Sequence, residues 1–279
     1  MNFPPAVYII GAQKAGTTTL AYLLDQHPAI VLSNPKEPHF FSSQWERGWV
    51  WYRSCFAKEP GILIDASTSY TMAPLDEKTG LADDTIPRRV YGHAPHAKFI
   101  YIMRDPVDRL FSAYWHTVRA GEESRELREA VRLNPGYAAP SCYVAQIQAY
   151  LNYFDITSFL FIDFRVLVRW PDEIVTACLD FIGVDPAPGE ISHEQPKNQS
   201  FQYRGLGLAF RQLVGGEKGM KVLSRCVKGV TPEFMHARLK KIIQKDIPDL
   251  TPEDRIWIAR HLGEANKDLK ELTGVDFTV

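Results

Sequence analysis

Directly after the apolar run Val7-Tyr8-Ile9-Ile10 the chain reads Gly11-Ala12-Gln13-Lys14-Ala15-Gly16-Thr17-Thr18-Thr19-Leu20. A glycine-bounded turn between a strand and a helix aims backbone N–H groups at one point beside the positive end of the helix dipole, which makes an anion site. Lys14 adds a cation inside the turn. Ala15, Gly16, Thr17, Thr18 and Thr19 supply amides and hydroxyls for phosphate oxygens. The nucleoside triphosphate version of such a loop reads GxxxxGK[ST], with lysine directly after the second glycine. Thr17 holds that position here, so the cradle is kept while the lysine and hydroxyl pairing that serves a γ-phosphate and magnesium is not. The loop reads as a site for a nucleotide with one 5′-phosphate that carries something other than a phosphoryl chain. A Gly/Thr-rich turn with a solvated lysine is the plain structural alternative.

Two further groups of residues carry chemistry. Arg104 ends the apolar run Phe99 to Met103, and Asp105-Pro106 then opens a helix as N-cap and first helical residue. Arg104 thus stands at the carboxyl end of a strand, where open α/β sheets bind ligands. On the following helix Arg109, Ser112 and His116 share a face, and a guanidinium with a hydroxyl suits a phosphate dianion. For Arg109 itself a salt bridge with Asp105 or Asp108 is the favoured reading. Lys36-Glu37-Pro38-His39-Phe40-Phe41 carries Glu37 and His39 on a short extended segment, and either is a candidate general base. Lys197, Asn198 and Arg204 lie in the polar loop Pro196 to Gly205, as ligands or as a solvated loop. Tyr143 sits in an apolar stripe, and Trp45, Trp49, Trp51 and Tyr52 line an acceptor pocket or pack as core.

The elements that must position these residues alternate. Strands are expected at Val7 to Ile10, Ile30 to Leu32, Ile62 to Ile64, Phe99 to Met103 and Phe159 to Ile162. Helical periodicity runs through Leu20, Leu23 and Leu24, through Val107 to Val118, through Tyr143 to Phe154, and through Ile174 to Ile182 up to Gly183. Continuous apolar strands between helices predict an α/β fold, with a P-loop-type central parallel sheet flanked by helices on both faces. The C-terminal part reads as mainly helical, with Thr231-Pro232-Glu233 and Thr251-Pro252-Glu253-Asp254 as helix starts. Leu75 to Ala94, Gly121 to Ala139 and Asp185 to Gly205 are the least regular stretches. No domain boundary stands out, so residues 1–279 are expected to form a single domain.

The chain has 279 residues, 45% hydrophobic and 23% charged, with a formal net charge of −1. No global field recruits nucleic acid or an anionic membrane, so any anion site must be built locally. Cys55, Cys142, Cys178 and Cys226 form no CxxC pair and read as buried thiols rather than a zinc site or disulfide framework. MNFPPAVYIIGAQK lacks a basic region and does not read as a signal peptide, and no run approaches the roughly 20 apolar residues of a membrane span. A cytoplasmic protein is the expectation.

GAQKAGTTTL resembles the 5′-phosphosulfate loop of sulfotransferases that use 3′-phosphoadenosine-5′-phosphosulfate (PAPS), particularly the heparan sulfate type and its bacterial relatives. The resemblance continues through Asn34 to Phe41, Trp51-Tyr52, Asp65 to Tyr70 and Tyr101 to Tyr114, with weaker echoes to the closing helix. It implies PAPS as sulfuryl donor, no metal, and transfer to a hydroxyl or amine of a saccharide or a small hydroxylated metabolite. It places the 3′-phosphate on Arg104 and Ser112, and a basic loop over it at Lys197 and Arg204. It aligns Glu37 with the family's base, leaves His39 to orient the acceptor, and has Lys14 meet charge on the bridging oxygen. The family generally carries a lysine where Ala66 stands here. That absence, with no sign of a Golgi anchor, weakens the carry-over of a glycosaminoglycan acceptor. Two other classes compete: a P-loop phosphotransferase or NTPase, which leaves the displaced lysine unexplained, and a non-catalytic nucleotide-binding protein, which has no use for Glu37. Oligomeric state is open.

Overall fold

A computed structural model describes residues 3–56, 60–185, 201–203 and 244–277. The chain divides into two compact units, one made of Met1–Leu110, Pro135–Gln195 and Ile256–Val279, the other of Phe111–Asn134 and Pro196–Arg255.

The first unit is built on strands β1 (Val7–Gly11), β2 (Ile30–Leu32), β3 (Ile62–Asp65), β4 (Lys98–Met103) and β5 (Phe159–Asp163). They form one sheet in the order β2-β3-β1-β4-β5, with every pair parallel. β1 is buried throughout and β4 from Phe99 to Met103, as a sheet covered on both faces requires. Its helices include α1 (Thr17–Leu24), α2 (Gly48–Ser54) and α3 (Thr85–His93). The connection from β1 to β2 runs toward one edge and those from β3 to β4 and β4 to β5 toward the other. Right-handed crossovers therefore put their helices on opposite faces. The start of α4 (Pro106–Ala120) belongs to this unit, its remainder and α5 (Leu127–Leu133) to the other; α6 (Tyr143–Leu151), α7 (Phe164–Arg169) and α8 (Pro171–Ile182) complete the first unit, in which α1 packs with α8 and α3 with α6.

Across the sheet Tyr8, Phe99 and Phe159 are register partners, and their rings stack at 5.8 and 4.9 Å. Such ladders pin register, since a slip by one residue would send every ring to the other face. Tyr150 and Phe154 of the α6 region meet Phe99 edge-on. α8 ends at Gly183, whose φ of +87° is left-handed, and Val184 N returns to the Leu179 carbonyl.

The stretches Leu75 to Ala94 and Gly121 to Ala139, expected to be irregular, contain α3 and α5. α3 buries only Pro87 and Val90, too narrow a stripe to show a period. Its proline falls in the first turn, where no intrahelical N–H bond is lost. α5 buries Leu127, Ala130 and Val131 in barely two turns.

In the second unit Phe201–Tyr203 pairs antiparallel with Gln244–Asp246, and Arg128 Nε meets Asp254 at 2.8 Å. The helix expected after Thr251 runs over Pro252–Leu262. The start expected at Thr231-Pro232, and Cys226, lie outside the described residues.

Candidate active site

The turn after β1 is held in an unusual backbone conformation. Lys14 has φ +72° and Gly16 φ +88°, so the chain passes twice through the left-handed region that L side chains avoid. Ala15 N bonds Ala12 O at 3.1 Å, and Ala12 N is tied to Ile102 O of the neighbouring strand. A Cβ on Gly16 would stand 2.9 Å from the Phe164 ring, so the close approach alone requires glycine. Gly16 caps α1 with no side-chain hydrogen bond, which leaves the opening amides for an anion. Thr17 is buried, Thr18 exposed and Thr19 half-buried.

The segment after β2 brings a carboxylate to this loop. Lys36 Nζ donates to Thr17 Oγ1 at 3.2 Å, to Thr18 Oγ1 at 3.5 Å and to Glu37 Oε1 at 2.9 Å. Glu37 Oε2 accepts from Thr68 Oγ1 at 2.7 Å and Thr68 N at 3.3 Å. Burial pushes the Glu37 carboxyl up, but the Lys36 charge, its hydrogen bond and the two Thr68 bonds outweigh it and hold the group below its ordinary value.

His39 stands beside Glu37, with Nε2 at 3.8 Å from Oε2, and its own φ is +55°. Ser67 Oγ accepts from its amide at 2.9 Å. Ser42 Oγ donates to the His39 carbonyl at 3.1 Å and pairs with Ser69 Oγ at 2.7 Å, and Ser69 Oγ pairs with His39 Nδ1 at 2.8 Å. The proton count along this chain is decisive. Ser42 gives its only proton to a carbonyl, so it accepts from Ser69, and Ser69 in turn accepts from Nδ1–H. A neutral His39 therefore presents the Nε2 lone pair on the Glu37 side.

Beneath this lies Asp65, wholly buried. Tyr52 and Tyr70 hydroxyls donate to its Oδ2, both at 2.7 Å, while Ser67 N and Oγ donate to Oδ1 at 3.0 and 2.6 Å. Burial still raises its pKa, offset in part by these bonds. Ser67 gives its proton to Asp65 and so receives the His39 amide, which links the buried carboxylate to the strained backbone above. Of the aromatic cluster, Tyr52 is core: it stacks on Phe40 at 4.1 Å, with Trp45, Trp49 and Trp51 half-buried around it.

At the end of β4 the Arg104 Nη1 donates to the Lys14 carbonyl at 3.4 Å, and its guanidinium lies 5.4 Å over the Phe164 ring. Tyr143, fully buried, packs as core, and its hydroxyl clasps the Arg104 backbone. Arg109 is buried and donates to Ser141 Oγ and the Tyr137 carbonyl, in place of the expected bridge to Asp105 or Asp108. Asp105 instead caps α4 through Asp108 N at 2.9 Å. Ser112 lies on the part of α4 that belongs to the second unit. Lys197, Asn198 and Arg204 lie outside the described residues.

The structure thus gathers Thr17, Thr18 and Glu37 around Lys36, with His39 beside Glu37, and sets the Lys14 carbonyl against Arg104. It adds Lys36, Ser42, Ser67, Thr68 and Ser69, none of which had been singled out for a role. The only trace of them in the sequence is a lysine adjoining the candidate base and the hydroxyl run after Asp65.

A parallel α/β sheet in which β1 runs through a glycine-bounded turn into a helix, with a carboxylate from the segment after β2 held beside that turn, is the architecture of P-loop-type proteins. The chain belongs to the sulfotransferase domain family, whose model matches residues 4–205. A mouse heparan sulfate glucosamine 3-O-sulfotransferase 6 is 32% identical over 193 residues, 66% of this chain and 53% of that protein. A mouse bifunctional heparan sulfate N-deacetylase/N-sulfotransferase 4 is 30% identical over 207 residues, 65% of this chain and 22% of that protein. The chain therefore spans about half the length of the first relative and about a fifth of the second. Among solved structures, a sulfotransferase from Alicyclobacillus acidocaldarius superposes with a TM-score of 0.59 at 28% identity, covering 76% of this chain and 92% of that one. No helix among the described residues is long and apolar enough to cross a membrane.

Proposed function

We propose that this chain transfers a sulfuryl group from PAPS to a hydroxyl, or an amine, of a saccharide or a small hydroxylated metabolite. One observation carries the reading: a single ammonium, Lys36 Nζ, reaches the Thr17 and Thr18 hydroxyls of the anion loop and the Glu37 carboxylate. A proton acceptor is thereby set beside the end of the loop where a 5′-phosphosulfate presents its sulfur.

Glu37 takes the acceptor's proton as the acceptor oxygen attacks sulfur. The new S–O bond forms while the bond from sulfur to the bridging oxygen breaks, and the electron pair leaves with adenosine 3′,5′-bisphosphate (PAP). Lys14 and the opening amides of α1 meet the charge that grows on that oxygen. Arg104 binds the 3′-phosphate, His39 orients the acceptor, and no metal takes part. The names of the relatives make a saccharide hydroxyl the first acceptor to try.

Thermal denaturation with PAPS, PAP and ATP, each with and without magnesium, tests the donor assignment. The 3′-phosphorylated nucleotides should stabilise the protein regardless of the metal. Stabilisation by ATP with magnesium alone would return the chain to the phosphotransferase class.

A further inference from the structure

Among the described residues Lys36 is the one side chain that touches both halves of the proposed reaction. Its three N–H donors have three acceptors, Glu37 Oε1 at 2.9 Å, Thr17 Oγ1 at 3.2 Å and Thr18 Oγ1 at 3.5 Å. Its backbone is pinned as well, since Ser33 Oγ donates to the Lys36 carbonyl at 2.9 Å. We infer that Lys36 is a positioning residue for sulfuryl transfer, orienting the loop hydroxyls that grip the donor and the carboxylate that takes the acceptor's proton.

Each threonine oxygen accepts from Lys36, so its own O–H must donate elsewhere. Among the described residues neither hydroxyl has another hydrogen-bond partner, which leaves both protons for the oxygens of an anion at the α1 N-terminus. A threonine left to itself rotates among three staggered positions. Lys36 selects those in which the proton points away from it.

Lys36 also sets the electrostatics of Glu37. The charged or titratable groups within ion-pair distance of its carboxylate among the described residues are Lys36 and His39, with Thr68 adding neutral hydrogen bonds. A bound donor would bring further negative charge to Thr17 and Thr18, within the same few ångströms. Lys36 stands between the two anions. It lets the donor bind without driving a proton onto the base, because like charges in a partly dry cleft otherwise disfavour each other.

The inference rests on the reading of Glu37 as base, and its test is chosen to be independent of turnover. Carboxyl 13C NMR of Glu37 across pH, and calorimetric titration with PAP, are measured on the full chain carrying Lys36→Met and Lys36→Arg. In Lys36→Met the Glu37 midpoint should move to higher pH and PAP affinity should fall about tenfold or more, as for loss of charge-assisted hydrogen bonding. Lys36→Arg should recover much of both, which a merely space-filling role would not require. Should the methionine variant fail to fold, Lys36→Gln keeps polarity and most of the reach without the charge, and the same two shifts are expected. An unmoved Glu37 midpoint, or unchanged PAP affinity, overturns the inference. Full turnover in Glu37→Gln would instead remove the base assignment while these two measurements still judge Lys36.

Discussion

The Tyr143 hydroxyl donates to the Arg104 carbonyl at 2.7 Å and accepts from the Arg104 amide at 3.3 Å, closing a two-point clasp between α6 and the end of β4. Because Tyr143 is wholly buried, Tyr143→Phe would leave both backbone groups without this partner. Urea denaturation should show a loss of about 1–3 kcal/mol. PAP affinity should fall with it, since Arg104 is carried on that backbone. Unchanged PAP affinity in a destabilised variant would detach Arg104 from the donor.

Gly16 faces two constraints at once, a left-handed φ of +88° and the Phe164 ring 2.9 Å from any Cβ. The conformation alone costs an alanine about 1–2 kcal/mol. Gly16→Ala should therefore lose stability and PAP affinity together. Adding Phe164→Ala should relieve the collision without restoring affinity, because the backbone preference remains. Wild-type PAP affinity in Gly16→Ala, read by calorimetry, would mean the turn does not need its left-handed geometry to hold the nucleotide.

Glu37 has a folded-state pKa below its ordinary value of 4.5. The sign follows from linkage: the native state holds that proton less tightly than the unfolded chain. The ionised carboxylate thus contributes stability that is present above pH 4.5 and lost as pH falls through the lower folded-state value. The stability gap between wild type and Glu37→Gln should narrow over that acidic window in urea titrations at a series of pH values. A gap that widens as the pH falls would place the Glu37 pKa above, not below, its ordinary value.

His39 should be a Nδ1–H tautomer when neutral, since the Ser42 and Ser69 hydroxyls consume every other proton in the chain. Imidazole 15N NMR reads this directly. Ser69→Ala removes the Nδ1 partner, and the Nε2–H form should then gain population. A wild-type ring already in the Nε2–H form would contradict the relay.

The parts of the site that were legible in the sequence are local in the chain. The loop from Gly11 to Thr19 is a strand, a turn and a helix in immediate succession, and Arg104-Asp105-Pro106 is a strand end and a cap in three residues. What escaped depends on partners far away. Lys36 meets Thr17 across 19 positions, Glu37 meets Thr68 across 31, and Tyr143 reaches Arg104 across 39. A serine or threonine announces no partner in sequence, so the hydroxyls around Glu37 and His39 emerge only once β2 and β3 lie side by side. β1 and β4 were readable because near-complete burial makes them continuously apolar. α3 and α5 were not, because each shows the core only two or three side chains.

The central claim is that Glu37 removes the acceptor's proton beside a loop that holds the donor. The most direct test is single-turnover transfer from labelled PAPS to the best acceptor by Glu37→Gln, with PAP affinity measured on the same preparation. Glutamine preserves shape and can still pair with Thr68, so the variant, though less stable by the lost charge, should keep the native fold and bind PAP as wild type does. The rate should fall by roughly 10²–10⁴-fold. Wild-type turnover in a variant that binds PAP normally would contradict the account.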